Sequence, residues 1–456
     1  MASRRLLPAL LGLLAVAVGA WWIPSRRPAA GPVRFQMRIV DAKGLDAGGL
    51  RTLLTDAVEE LGPWISVEVP AGMALPRDTR MISLKAELDG NALRLDPSLD
   101  GRALDHMDGP PSQAVAGLFE RLGLKAPDAS LVPEDPADFR ELVELLGRPQ
   151  LPLRDQLDLR VQSLVQRIPR CASARMAQAL YVSDRPLTLE GRDRCEQNLR
   201  AALECRPHHP RATASLAYFL TNTGRQREAL DLISESVREH PGSPHLLSSL
   251  AYAARTTGLL EVADRALDRQ AAATGLLRFQ SGLADNTRLY LGDLDGFERG
   301  LPRVETDSLR IFYQGYARLL RRDRAGALAC FSDPSQGGPS LFARLSAAYR
   351  LALEGRAQES LEALRKLEAE RVQVRVPDGE LTFKVAEAYG FLGEPRLALD
   401  VMAKAAVQGF GCTRWYERSP LLAEARRLAA WQRLHQTLLE RQAVMEARFP
   451  PHRFEP

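Results

Sequence analysis

Three glycines at one interval constrain this chain more than any other feature. Gly224, Gly258 and Gly292 are each thirty-four residues apart, Ala229 recurs at the same step as Ala263 and is preceded by Cys195, and Pro207 recurs as Pro241. A fixed period of this length marks a supersecondary unit that cannot hide its apolar sides alone and must stack on copies of itself. Within one unit Leu216 supplies the large apolar residue of a first helix and Gly224 the turn. Ala229 is the small residue where a second helix crosses the first, and Pro241 ends that helix.

Further units carry Gly315 and Ala327, then Gly355 and Leu361 with Ser360 in place of the alanine, then Ala386, Tyr389, Gly393, Ala398 and Ala405. The unit at Gly292 has Phe297 where alanine is expected and Pro302 inside its second helix, which predicts a shortened hairpin and a local bend. Period and small-residue positions together resemble the tetratricopeptide repeat over residues 171–408. The resemblance implies an α-α helical-repeat solenoid with a concave wall built from fixed positions of each first helix. At those positions stand Arg211, Ala214, Tyr218 and Asn222, then His245, Ser248, Tyr252 and Thr256, then Phe279, Gly282, Asn286 and Tyr290, with Arg255 one residue off the register. Tyrosine, asparagine and arginine on such a wall suit an extended peptide, so Tyr218, Asn222, Tyr252, Arg255, Asn286 and Tyr290 are the expected protein-binding residues. The tyrosines packing between helices is the alternative. Residues 409–456 lose the repeat pattern but keep two amphipathic helices, as expected of a cap on an open stack.

The first part of the chain is different. Residues 1–32 hold an uncharged run, Leu6–Ile23, of membrane-spanning length, preceded by Arg4 and Arg5 and ending in Trp21 and Trp22. It reads as a retained anchor leaving the bulk of the chain outside the cytoplasm, with cleavage after Val18-Gly19-Ala20 as the alternative. Residues 33–127 form a small α/β domain in the order β-α-β-β-β-α. Val33, Phe35, Met37 and Ile39 alternate on a first strand, and Asp89-Gly90-Asn91 turns a hairpin. Residues 135–170 read as connecting helices. The order of elements, with Gly409-Phe410, Trp415, Arg418, Pro420 and the helices after them, is similar to bacterial regulatory proteins in which a TolB-type amino-terminal domain precedes tetratricopeptide repeats. The apolar-Pro-Phe ending of that domain's first strand is replaced here by IVDAKG.

Several functions are disfavoured. Lys and Arg number 61 against 57 Asp and Glu, which gives no composition signal for nucleic acid. Five cysteines contain no C-x-x-C pair, and no phosphate-binding loop, nucleophile elbow, H-E-x-x-H or kinase catalytic loop occurs. His208-His209 sits in a turn without a spaced third ligand, Cys195 and Cys205 lie too far apart on one helix to pair, and Arg318–Arg324 fits a basic helix end. No catalytic residue, cofactor or metal is therefore expected. The reading is a scaffold of the bacterial inner membrane, single-pass, with a periplasmic repeat arm that binds proteins. The alternative is a signal-sensing subunit whose α/β domain takes a small ligand.

Overall fold

The computed structural model describes residues 33–69, 74–147, 154–183, 189–276, 285–304, 307–334, 340–372 and 378–455. The expected membrane span lies outside them; among the described residues no helix is long and apolar enough to cross a bilayer.

Strands β1 (Val33–Lys43), β2 (Trp64–Ser66), β3 (Arg80–Asp89), β4 (Ala92–Leu99), β5 (Arg102–Ala103) and β6 (Met107–Gly109) make one sheet in the order β2-β1-β3-β4-β5, with β6 also on β4. β1 runs parallel to both neighbours, and β3 and β4 form the expected hairpin. Helices α1 (Ala47–Leu61) and α2 (Pro111–Arg121) pack on it through Leu50, Leu54, Val58, Val115 and Phe119. The connecting helices α3 (Pro136–Gly147) and α4 (Arg154–Arg167) belong to the same core, through Phe139, Leu142 and Leu164. A Cβ at Gly49 of α1 would stand 1.7 Å from the Val143 carbonyl oxygen, so the α1 and α3 backbones touch where only glycine fits.

From Ala172 the chain is a series of antiparallel helix pairs: α5 (Ala172–Ser183) with α6 (Leu189–Cys205), α7 (Pro210–Asn222) with α8 (Gln226–Glu239), α9 (Pro244–Thr256) with α10 (Leu260–Thr274), and α11 (Asn286–Leu291) with α12 (Leu294–Gly300). They continue as α13 (Asp307–Leu320) with α14 (Arg324–Phe331), α15 (Leu341–Leu353) with α16 (Ala357–Val372), and α17 (Gly379–Phe391) with α18 (Pro395–Val407). Gly224, Gly258 and Gly292 turn the chain with φ of 82°, 85° and 93°, left-handed backbone that side chains oppose. Ala229, Ala263, Ala327 and Ala398 are fully buried at helix crossings, and Ser360 holds the same role by donating to the Ala348 carbonyl at 2.7 Å. The unit at Gly292 is short, with α11 six residues long and α12 seven, the latter ending just before Pro302. Gly315 is a contact point, since the Phe331 ring lies 2.4 Å from where its Cβ would be, and the turn of that pair is carried by Arg322 at φ 64°.

The stack does not stay open, which departs from the expected cap on a free end. The last carbonyls of α7, α9 and α11 are met from the far end of the chain: Asp378 N donates to Asn222 O, Gly411 N to Thr256 O, and Arg414 Nη2 to Leu291 O, at 3.2, 2.7 and 2.7 Å. Orphan carbonyls at helix C-termini need such donors. Helices α19 (Thr413–Arg418) and α20 (Ala429–Arg448) then carry the chain back so that Phe449 and Phe454 join the core of α7 to α10. Asp231 on α8 accepts from Arg448 and Arg453 at 2.7 and 2.9 Å.

Candidate functional site

Wall positions expected on α7, α9 and α11 meet two other parts of the chain. At the first positions α1 of the α/β domain docks. Arg211 Nη1 lies 2.6 Å from Asp56 Oδ2, and His245 Nε2 lies 3.4 Å from Glu59 Oε2. One turn earlier, Arg206 and His209 hold Glu60. His209 accepts from Ala212 N through Nδ1, and its Nε2 lies 3.3 Å from Glu60 Oε2.

At the last positions α17 enters. Its Glu380 accepts from Arg255 Nη2 at 2.8 Å, from Asn286 Nδ2 at 3.0 Å and from Tyr290 OH at 2.5 Å. Burial alone would push the Glu380 carboxyl up; Arg255, with the Tyr290 and Asn286 hydrogen bonds, outweighs it and holds the group below the usual carboxylate range. Burial also drives the Tyr290 and Tyr252 hydroxyls well above their ordinary value, so both are neutral donors. Three residues past Lys384 on the same helix, Glu387 accepts from Lys384, Tyr316, Trp415 and Ser419, and both charges are fully buried.

Consequently four of the six expected protein-binding residues are inside the molecule. Asn222, Arg255, Asn286 and Tyr290 are 3%, 8%, 5% and 0% exposed. Their polar groups face α17 and the neighbouring helices instead of a trough, because Glu380 is a buried carboxylate that draws three donors to itself. Phe279 and Gly282 lie outside the described residues. Between the two fillings Tyr218 stays half exposed and stacks on Tyr252, with ring centroids 4.9 Å apart. Tyr252 in turn donates to Asn222 Oδ1 at 2.5 Å and carries the Arg255 guanidinium over its ring at 5.1 Å. The ladder Glu380, Arg255, Tyr252, Tyr218 thus begins on a buried charge and ends on an accessible ring.

Glu380, Lys384 and Glu387 were not singled out in the sequence. Their spacing of four and then three residues places three charges on one face of α17, a pattern ordinarily read as a solvated surface. Only the mostly apolar remainder of GELTFKVAEAYGF hints that both faces are covered.

The remaining candidates resolve locally. Arg321 pairs with Asp295 and Glu298, Arg318 with Asp323, and Arg324 lies over the Phe391 ring, so part of the basic run is engaged by its own neighbours. All five cysteines are thiols; burial pushes Cys171 up to about 11 and Cys195 and Cys412 up to about 12.

No family model and no curated protein matches the chain. Among solved structures it is similar to a chain of the APC/C hetero-tetramer Cut9-Hcn1 at 13% identity, over 68% of this chain and 63% of that one, with a TM-score of 0.44. It therefore spans less than two thirds of that neighbour's length. The human IFIT1 dimer with m7Gppp-AAAA follows at 14%, over 73% and 76%, with a TM-score of 0.32. A tetratricopeptide repeat protein from Parabacteroides merdae matches at 14%, over 60% and 98%, with a TM-score of 0.22. The helical-repeat architecture rests on the chain's own coordinates: a thirty-four-residue step, left-handed glycine turns and buried small residues at most crossings.

Proposed function

We propose that the protein is a non-catalytic scaffold of the bacterial envelope, held at the inner membrane through Leu6–Ile23, whose repeat arm captures a protein partner at the Tyr218–Tyr252 stack. The observation that carries this reading is the half-exposed Tyr218 ring, pre-positioned by its stack on Tyr252, which buried Asn222 and Arg255 hold in turn. A large ring held rigid before contact loses little entropy on binding. Residues Asn222, Arg255, Asn286 and Tyr290 act in this reading by fixing Tyr252, and through it Tyr218. The non-catalytic assignment is supported by the buried, high-pKa thiols and by the full burial of Lys384 and Glu387, which keeps them from any substrate.

A photo-crosslinking amino acid at position 218, compared with one at exposed Leu159, tests the site in intact cells. One protein attached at 218 and not at 159, whose purified form binds the wild-type chain and loses binding to Tyr218→Ala, is the expected result. Equal labelling at both positions, or equal binding by the variant, removes the assignment.

A second reading, with residues 33–127 as a TolB-type sensing domain that passes a ligand signal to the repeats, is favoured by the polar joint itself. Asp56, Glu59 and Glu60 of α1 all meet side chains of α7, α9 or the turn before α7, so a shift of α1 reaches the wall directly.

A further inference from the structure

The joint between α1 and the repeats contains two equivalent positions treated differently. Arg211 and His245 stand one repeat apart at the start of α7 and α9, and each faces a carboxylate of α1. Asp56 receives a permanent positive charge from Arg211. Glu59, with its side chain only 5% exposed, receives an imidazole at 3.4 Å. Glu59 is thus a buried carboxylate faced by an imidazole where its neighbour has a guanidinium, and burial of a carboxylate calls for a paired cation or a bound metal. Arg211 does not make up the difference alone, because Glu68 adds a third carboxylate within its electrostatic reach besides Asp56 and Glu59.

We propose that Asp56, Glu59 and His245 bind a divalent metal ion of the zinc class, clamping the α/β domain to the repeat arm. Asp56 and Glu59 are three apart on α1 and so share a face. Each of the three residues can offer one donor atom such that all lie within 4.8 Å of one another. The 3.4 Å between His245 Nε2 and Glu59 Oε2 matches the edge, about 3.4 Å, of a tetrahedron with zinc-to-ligand bonds near 2.1 Å. Asp56, with a carboxylate oxygen within 4.8 Å of both, would close the set by turning its side chain inward from Arg211. Outer partners are in place: Ser66 donates its backbone N at 2.9 Å and its hydroxyl to Glu59 Oε1, leaving Oε2 toward the imidazole, and Arg211 steadies Asp56. Such partners orient ligands and tune affinity. The His245 side chain is 42% exposed, which leaves a path for the ion and a fourth position for water. Arg211 shares Asp56 with the ion and repels it, so the site is one of moderate affinity that senses supply.

Zinc titration of the full chain by calorimetry, with cobalt as a spectroscopic substitute, tests this. The expected result is one ion per chain, a tetrahedral cobalt spectrum, a rise in melting temperature with zinc, and loss of all three in His245→Ala and Glu59→Gln. Ser66→Ala lowers affinity roughly 10–100-fold as an outer partner. His208→Ala, in the neighbouring turn, leaves binding unchanged. His245→Ala sits at a partly exposed position, and its metal-free melting curve confirms that it folds. Absence of saturable binding at micromolar zinc, or wild-type binding by His245→Ala, overturns the proposal.

Discussion

Arg255 and Glu380 are 125 residues apart in sequence and joined by a 2.8 Å hydrogen bond inside the molecule. The pair fastens α9, in the third helical hairpin, to α17, in the seventh, and converts what would be a docking wall into an interior. Replacing Glu380 by Gln keeps the shape and leaves Arg255 buried without a counter-charge, which costs about 3–5 kcal/mol. Urea denaturation of the variant against the wild type measures it.

The same carboxylate sets an acid limit. Its folded pKa lies below the unfolded value of about 4.3, so its contribution is complete above that value and fades as pH falls through the folded pKa. The stability gap between wild type and Glu380→Gln is therefore constant near neutrality and narrows in the acid range below about pH 4. A gap that instead widens on acidification contradicts the sign.

Tyr218 and Tyr290 occupy wall positions but differ in consequence. Tyr218→Ala loses the stack on Tyr252, about 0.5–1.5 kcal/mol, and leaves the fold intact. Tyr290→Phe removes a donor from buried Glu380 and costs about 1–3 kcal/mol, although only one oxygen is lost. Paired melting curves separate the two.

Glycine substitutions grade the contacts at the turns. At Gly224 an added Cβ meets Gln408 and Val407 backbone atoms at an ordinary 3.6 Å, so Ala there carries only the left-handed penalty, about 1–2 kcal/mol. At Gly409 the same atom falls 1.8 Å from Gln226 Nε2, besides a φ of 102°. Gly409→Ala is expected to be the more damaging, by equilibrium unfolding.

Thiol chemistry reports burial independently. At about pH 8 in the folded chain, alkylation followed by mass spectrometry should mark Cys205 and Cys330, which are partly exposed, before Cys171, Cys195 and Cys412. Early labelling of Cys412 would place the α18–α19 segment further from the α9 turn than the Gly411 to Thr256 bond allows.

Local chemistry was legible in the sequence. The hairpin at Gly90, the repeat step, the crossing alanines and the short unit at Phe297 and Pro302 are all written in neighbouring residues, because turns and close helix crossings admit few side chains. The six wall residues were placed on the right helices for the same reason. What covers them was not legible. Arg255 meets Glu380 and Arg211 meets Asp56 through the curvature of many stacked pairs and the docking of a separate domain, and no local pattern encodes either.

The three helix-end carbonyls capped by Asp378, Gly411 and Arg414 carry a mechanical consequence. A row of hairpins free at both ends stretches like a spring and frays one unit at a time. Here pulling on the last hairpins tugs on the second, third and fourth as well, so the arm behaves as a hoop: stiff until those latches give, and then liable to lose many units together.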